Sequence, residues 1–183
     1  KYNSLIKSSR NPFHDYKKIF NSLFPSILEK NKALKLGEKL LNNRVKGTNK
    51  EGIQYLNNNP YLKSKNLRQK LFSRETFQVV LVLHNFFDAP HKYREFYYCD
   101  YLEWAIDTIN ILKEHKINTY IKFHPINIGK SADDVAFKVI RNHIGKSDNF
   151  IILEKETSYA DLIENNLKSA ITCHGTVANE LPY

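Results

Sequence analysis

No apolar stretch in this chain approaches the roughly 20 residues that a helix needs to cross a bilayer, and no signal-peptide pattern opens it. Membrane association is therefore expected to be peripheral, or to lie in sequence outside this chain. Cysteine is scarce. Cys99 and Cys173 are the only two in 183 residues, their spacing fits no zinc motif, and Cys173 sits inside an apolar run. Reduced, structural thiols are expected, which points to the cytoplasm, at most the cytoplasmic face of an inner membrane. Acidic residues are in deficit: 19 Asp and Glu stand against 28 Lys and Arg, for a formal net charge of +9. Such a balance can serve nucleic acid, an acidic membrane surface or a phosphate-bearing substrate. Here the lysines are scattered among abundant asparagines, and no RNP-like or zinc-finger signature accompanies them. A basic nucleic-acid-binding module is thus the weaker alternative, and nucleic acid is not expected as a partner.

What the chain does contain is a threefold coincidence. Three short apolar runs end on a histidine: Val79-Val80-Leu81-Val82-Leu83-His84, Tyr120-Ile121-Lys122-Phe123-His124 and Ala170-Ile171-Thr172-Cys173-His174. Runs that are apolar at nearly every position suit parallel strands covered on both faces, and helix-like segments lie between them. Ligands of such sheets bind beyond the carboxyl ends of the strands, so all three imidazoles are expected on one rim.

The length allows one domain of ordinary size or one domain plus part of another. The chain opens on Lys1 and stops at Tyr183 within a helix expected to begin near Thr176, so an excerpt of a longer protein is expected. Residues 1–73 read as a helical segment and linker. An apolar stripe of Phe13, Phe20, Leu23, Phe24, Ile27 and Leu28 is interrupted by Pro25, a second helix is expected over Lys32 to Asn43, and the polar stretch Thr48 to Arg74 carries dense turn chemistry around Asn57-Asn58-Asn59-Pro60. Residues 74–183 read as β-α-β-α-β-α-β-α. Tyr98, Leu102, Ala105, Ile109 and Leu112 mark one face of the first helix. Ser131 is the expected N-cap of the second, and Gly145 its stop. The third and fourth strands are Phe150 to Leu153 and Ala170 to Cys173, separated by a short helix from Ser158 to Asn165. The predicted fold is α/β, a Rossmann-like doubly wound parallel sheet. In the order 3-2-1-4 the first and fourth strands are neighbours, and His84 and His174 flank one crevice.

Three loops carry residues suited to phosphate or proton chemistry. In His174-Gly175-Thr176 the glycine allows close approach of a ligand to the backbone and the threonine hydroxyl can donate to a phosphate oxygen, while Glu180 is placed to hold the two hydroxyls of a ribose. In Lys122-Phe123-His124-Pro125, alternation would put Lys122 and His124 on one face, able to grip a pyrophosphate, with Pro125 fixing the exit of the chain. In the loop His84 to His91, Asp88 lies between two imidazoles, an arrangement that can orient a ring or move a proton. A metal held by His84, Asp88 and His91 matches no spacing with a stated mechanism and is not expected.

Together the run from His84 to His91, the helix carrying Tyr101-Leu102-Glu103-Trp104, the strand end from Lys122 to Pro125 and the stretch from Ala170 to Pro182 resemble bacterial capsule and surface-polysaccharide glycosyltransferases of the GT-B fold. The resemblance covers about residues 74 to 183, which would correspond to the carboxyl-terminal, donor-binding domain, incomplete at its end. Residues 1–73 would correspond to the connection from a mostly absent amino-terminal domain. It implies a metal-independent transferase without a cofactor, moving a sugar or a sugar-phosphate-like unit from a nucleotide-sugar donor to a glycan or lipid-linked acceptor. By the same resemblance, His124 and Pro125 contact the donor phosphate, His174, Gly175 and Thr176 form the small-residue turn beside it, and Glu180 holds the ribose. Asp88, His84 and His91 are the candidate catalytic residues. Some relatives that use CMP-linked donors carry a Ser pair where this chain has Gly175-Thr176. A nucleotide-sugar epimerase of similar fold is the enzymatic alternative, separable because it changes the sugar without an acceptor.

Overall fold

A computed structural model of the chain describes residues 16–24, 29–46, 61, 76–88, 96–124, 130–154 and 157–182. His91, Pro125 and most of the stretch from Thr48 to Arg74 lie outside them. Two helices come first, α1 (Tyr16–Leu23) and α2 (Lys30–Lys46). The sheet region follows as β1 (Val79–Val82), α3 (Tyr101–Glu114), β2 (Thr119–Lys122), α4 (Lys130–Ile144), β3 (Phe150–Ile152), α5 (Tyr159–Glu164), β4 (Ser169–Ile171) and α6 (Val177–Glu180).

The strands form one four-stranded sheet in the order β3-β2-β1-β4, with every pairing parallel. This is the order 3-2-1-4 expected of a Rossmann-type half, and the architecture is an α/β, Rossmann-like one. Val80 sits in register with Tyr120 on one side and Ala170 on the other, so β1 is the central strand from which the order runs both ways. Strand pleating then divides the core in two. Leu81, Leu83 and Ile121 face one way, against Trp104, Ala105, Ile109 and Leu112 of α3 and Ile140 and Ile144 of α4. Val80, Val82 and Tyr120 face the other way, against Tyr159 and Leu162 of α5 and Val177 of α6. Each of these fully buried aliphatic side chains contributes about 1.5–3 kcal/mol of transfer free energy, and the double cover explains why β1 and β2 carry almost no polar alternation.

This division sets a topological switch point. The chain leaves β1 toward α3 on one face and leaves β4 toward α6 on the other, the arrangement at which sheets of this order bind ligands in a crevice. Local chemistry fixes where the helices start and stop. Asp100, in extended backbone, accepts from the Glu103 amide at 2.8 Å and begins α3, so Tyr98 and Cys99 precede the helix although Tyr98 is in phase with it. Ser158 and Asp161 form a reciprocal capping box at α5, with bonds of 3.1 and 3.0 Å. Gly145 ends α4 at φ 64°, its amide bonded to the Arg141 carbonyl, as expected. Ser131 falls inside α4, which begins one residue earlier. No helix among the described residues is long and apolar enough to cross a membrane.

Candidate functional site

The three strand-end imidazoles come together at the carboxyl edge of the sheet. His84 leaves β1 just after Leu83, whose amide still bonds to the Lys122 carbonyl at 2.9 Å, and its ring stacks on Tyr101 at the start of α3 with centroids 4.1 Å apart. His124, two residues beyond β2, has its ring 6.4 Å from that of His84. On the far side of Tyr101, Phe96 packs at 5.1 Å and in turn meets the ring of His174 at 5.5 Å. A continuous arc of rings therefore runs His124, His84, Tyr101, Phe96, His174 across the ends of β2, β1 and β4. Desolvation, with a smaller push from the charge of His84, holds the pKa of His174 below its ordinary value.

The turn after β4 is tightly specified. His174 adopts the left-handed conformation, φ 53°, which is unusual for a residue with a side chain and concentrates at sites where geometry is functional. Gly175 is required by space: a Cβ there would lie 2.7 Å from Thr172 Oγ1 and 3.3 Å from Val177 Cγ1. Thr176 stands at the N-cap of α6, yet its side chain makes no capping bond. Because α6 is a single turn, donors in this loop have to come from side chains and local amides rather than from a long helix.

In the loop after β1, Asn85 accepts from the Phe87 amide through Oδ1 at 3.0 Å and from the Asp88 amide through its carbonyl at 3.1 Å. That turn brings Asp88 Oδ2 to 3.9 Å from Nδ1 of His84. Asp88 is 57% exposed and His84 only 15%, so the carboxylate approaches a largely buried ring from the solvent side. His84 Nδ1 also lies 3.3 Å from the Asn85 carbonyl oxygen.

Two expected donor-binding residues are enclosed and bonded to other parts of the chain. Strand pairing ends at Lys122, whose ammonium lies on the α5 side of the sheet. It is 4% exposed, its ammonium donates to the Thr157 carbonyl at 2.5 Å, and it lies 5.6 Å from the centre of the Tyr159 ring. Glu180 is likewise enclosed. Arg44 Nε donates to its Oε1 at 3.0 Å and the Tyr61 hydroxyl to its Oε2 at 2.6 Å. Tyr61 packs against Tyr159, joining Glu180 and Lys122 in one aromatic and charged cluster. Burial and the Glu180 carboxylate push the phenol of Tyr61 far above its usual range, and burial foremost does the same for Tyr159, so both stay protonated.

Comparison with family models, with curated proteins and with solved structures finds no match to this chain. The chemistry has to be argued from the site itself. Sequence reasoning missed Phe96 and the stacking role of Tyr101, which space the imidazoles, and Arg44 and Tyr61, which hold Glu180. Tyr101 stood in a run already singled out, and Phe96 lies in the aromatic run Phe96-Tyr97-Tyr98 just before α3. Among the described residues, no group of three or more His, Cys, Asp or Glu is arranged to hold a metal ion.

Proposed function

We propose that the chain is the donor-binding part of a GT-B glycosyltransferase, which transfers a sugar or sugar-phosphate-like unit from a nucleotide-activated donor to a bacterial surface or capsular polysaccharide. The observation that carries this reading is the convergence of three strand-end imidazoles on the carboxyl edge of the sheet at the β1/β4 switch point. Parallel sheets of this kind bind ligands there, and the groups assembled are donors suited to phosphate oxygens. In the proposed reaction, negative charge grows on the diphosphate as the sugar departs. His124 and His174 stabilise that charge, with the Thr176 hydroxyl and the close backbone approach allowed at Gly175, in geometry set before the reaction begins. Asp88 orients His84 and is the candidate for the proton taken from the acceptor hydroxyl. Lys122 acts one step back, by tying down Thr157 beside the first turn of α5.

The test is product analysis with the full-length protein, nucleotide sugars labelled in the sugar, and a glycan or lipid-linked acceptor. Label appearing on the acceptor supports the reading. A sugar altered without any acceptor would replace it with an epimerase. No nucleotide-sugar turnover of either kind would overturn it.

A further inference from the structure

The carboxylate that the sequence suggests for a ribose is closed off. Glu180 is 9% exposed, with Arg44 on one oxygen and Tyr61 on the other. A carboxylate has lone pairs for further bonds, but at this burial a vicinal diol has no approach until one of the two donors moves. Both donors come from far upstream, 136 and 119 residues before Glu180. Arg44 lies in the last turn of α2, and α2 buries none of its 17 residues. Leu34, Leu36 and Leu40 of that helix are all exposed, and its last turn reaches the sheet region through Arg44 and through Val45 against the α5-side core. An element with so little apolar burial is the kind that detaches at low cost. Tyr61 cannot release Glu180 by deprotonation, because its phenol stays protonated throughout the physiological range.

We propose that Arg44 and Tyr61 form a latch on Glu180, so that nucleotide binding at the β1/β4 crevice and docking of α2 compete for one carboxylate. The proposal rests on the nucleotide reading above and adds regulation of the same site. Linkage makes the competition reciprocal: nucleotide loosens α2, and whatever holds α2 down weakens nucleotide binding by the same factor. The donor site is thereby kept closed until a ligand can replace both bonds to Glu180.

Calorimetric titration of the full-length wild type, Tyr61→Phe and Arg44→Gln with CMP, CDP, UDP and GDP tests this, together with hydrogen exchange of residues 30–46 with and without saturating nucleotide. Both variants are expected to bind the preferred nucleotide about tenfold more tightly, the effect of losing one competing bond to a charged group. Nucleotide should also speed exchange across 30–46 in the wild type. A merely structural tie would not raise affinity. Equal or weaker binding by both variants, with exchange over 30–46 unchanged, overturns the latch and leaves the nucleotide site standing. Failure of the wild type and of both variants to bind any of the four nucleotides overturns the nucleotide reading and the latch with it.

Discussion

Gly175→Ala is the smallest change that should disturb the candidate site. The added Cβ would stand 2.7 Å from Thr172 Oγ1, closer than such atoms approach, and 3.3 Å from Val177 Cγ1. Thr172 is β-branched, so rotating its hydroxyl away brings another substituent of its Cβ toward the same space, and Val177 is held in the α5-side core. Relief must therefore come partly from the backbone of the turn. Overpacking of this kind costs about 1–3 kcal/mol. For a chain of this size that corresponds to a fall in Tm of about 2–12 °C, readable by calorimetry. The double variant Gly175→Ala, Thr172→Ala removes the nearest clashing atom and should recover most of the loss, giving a clear coupling energy in a double-mutant cycle. A Gly175→Ala protein with unchanged Tm, or a double variant no better than the sum of its parts, would refute the packing argument.

Other consequences are open to direct measurement. His174 has a folded pKa below its unfolded value, so the ring is neutral in both states above about pH 6.5 and the unfolded chain takes the proton first as the pH falls. Stability should thus drop below pH 6.5 more steeply in the wild type than in His174→Asn, a residue that tolerates φ 53°; identical pH profiles would contradict this. Asp88→Asn in the full-length protein should lower turnover by about 10²- to 10⁴-fold with donor affinity nearly unchanged, whereas near-wild-type turnover would remove Asp88 from the chemistry. The hydrogen bond and charge of Glu103 raise the pKa of Cys99, and burial pushes that of Cys173 up to about 12, so both thiols should alkylate slowly at pH 8. Glu103→Gln should speed modification of Cys99 alone, as followed by mass spectrometry; an unchanged rate would dismiss the interaction.

The inner strands β1 and β2 were legible because they are covered on both faces. That burial is why β1 and β2 read as nearly continuous apolar runs, while the order 3-2-1-4 was an expectation by analogy with Rossmann-type halves, which the sheet matches. The rim was legible for a related reason: a histidine directly after such a run can only emerge at the carboxyl edge. Helix ends were less so. Periodicity weighs Tyr98 as part of α3, but the start is decided by one side-chain bond at Asp100. Helix α2 extends beyond the expected Lys32 to Asn43 at both ends, and with no buried residue it offers little pattern from which to fix a boundary. Lys122 was read as a donor to pyrophosphate, and its bond to the Thr157 carbonyl, 35 residues further on, has no local signal in the sequence. The enclosure of Glu180 by Arg44 and Tyr61 depends on contacts across more than a hundred residues, for which a single sequence holds no local signal.

The central claim is that His84, His124 and His174 form one anion-binding rim, and imidazole resonances report on it directly. In a titration of the full-length protein with CMP, CDP, UDP or GDP followed by NMR, these three rings should shift together and saturate at a common nucleotide concentration. His143, bound to Asn110 at 2.6 Å between α3 and α4, and the exposed His115 at the end of α3 supply internal controls and should not move. Silence of the three rim histidines, or shifts of equal size at His143 and His115, would contradict the account.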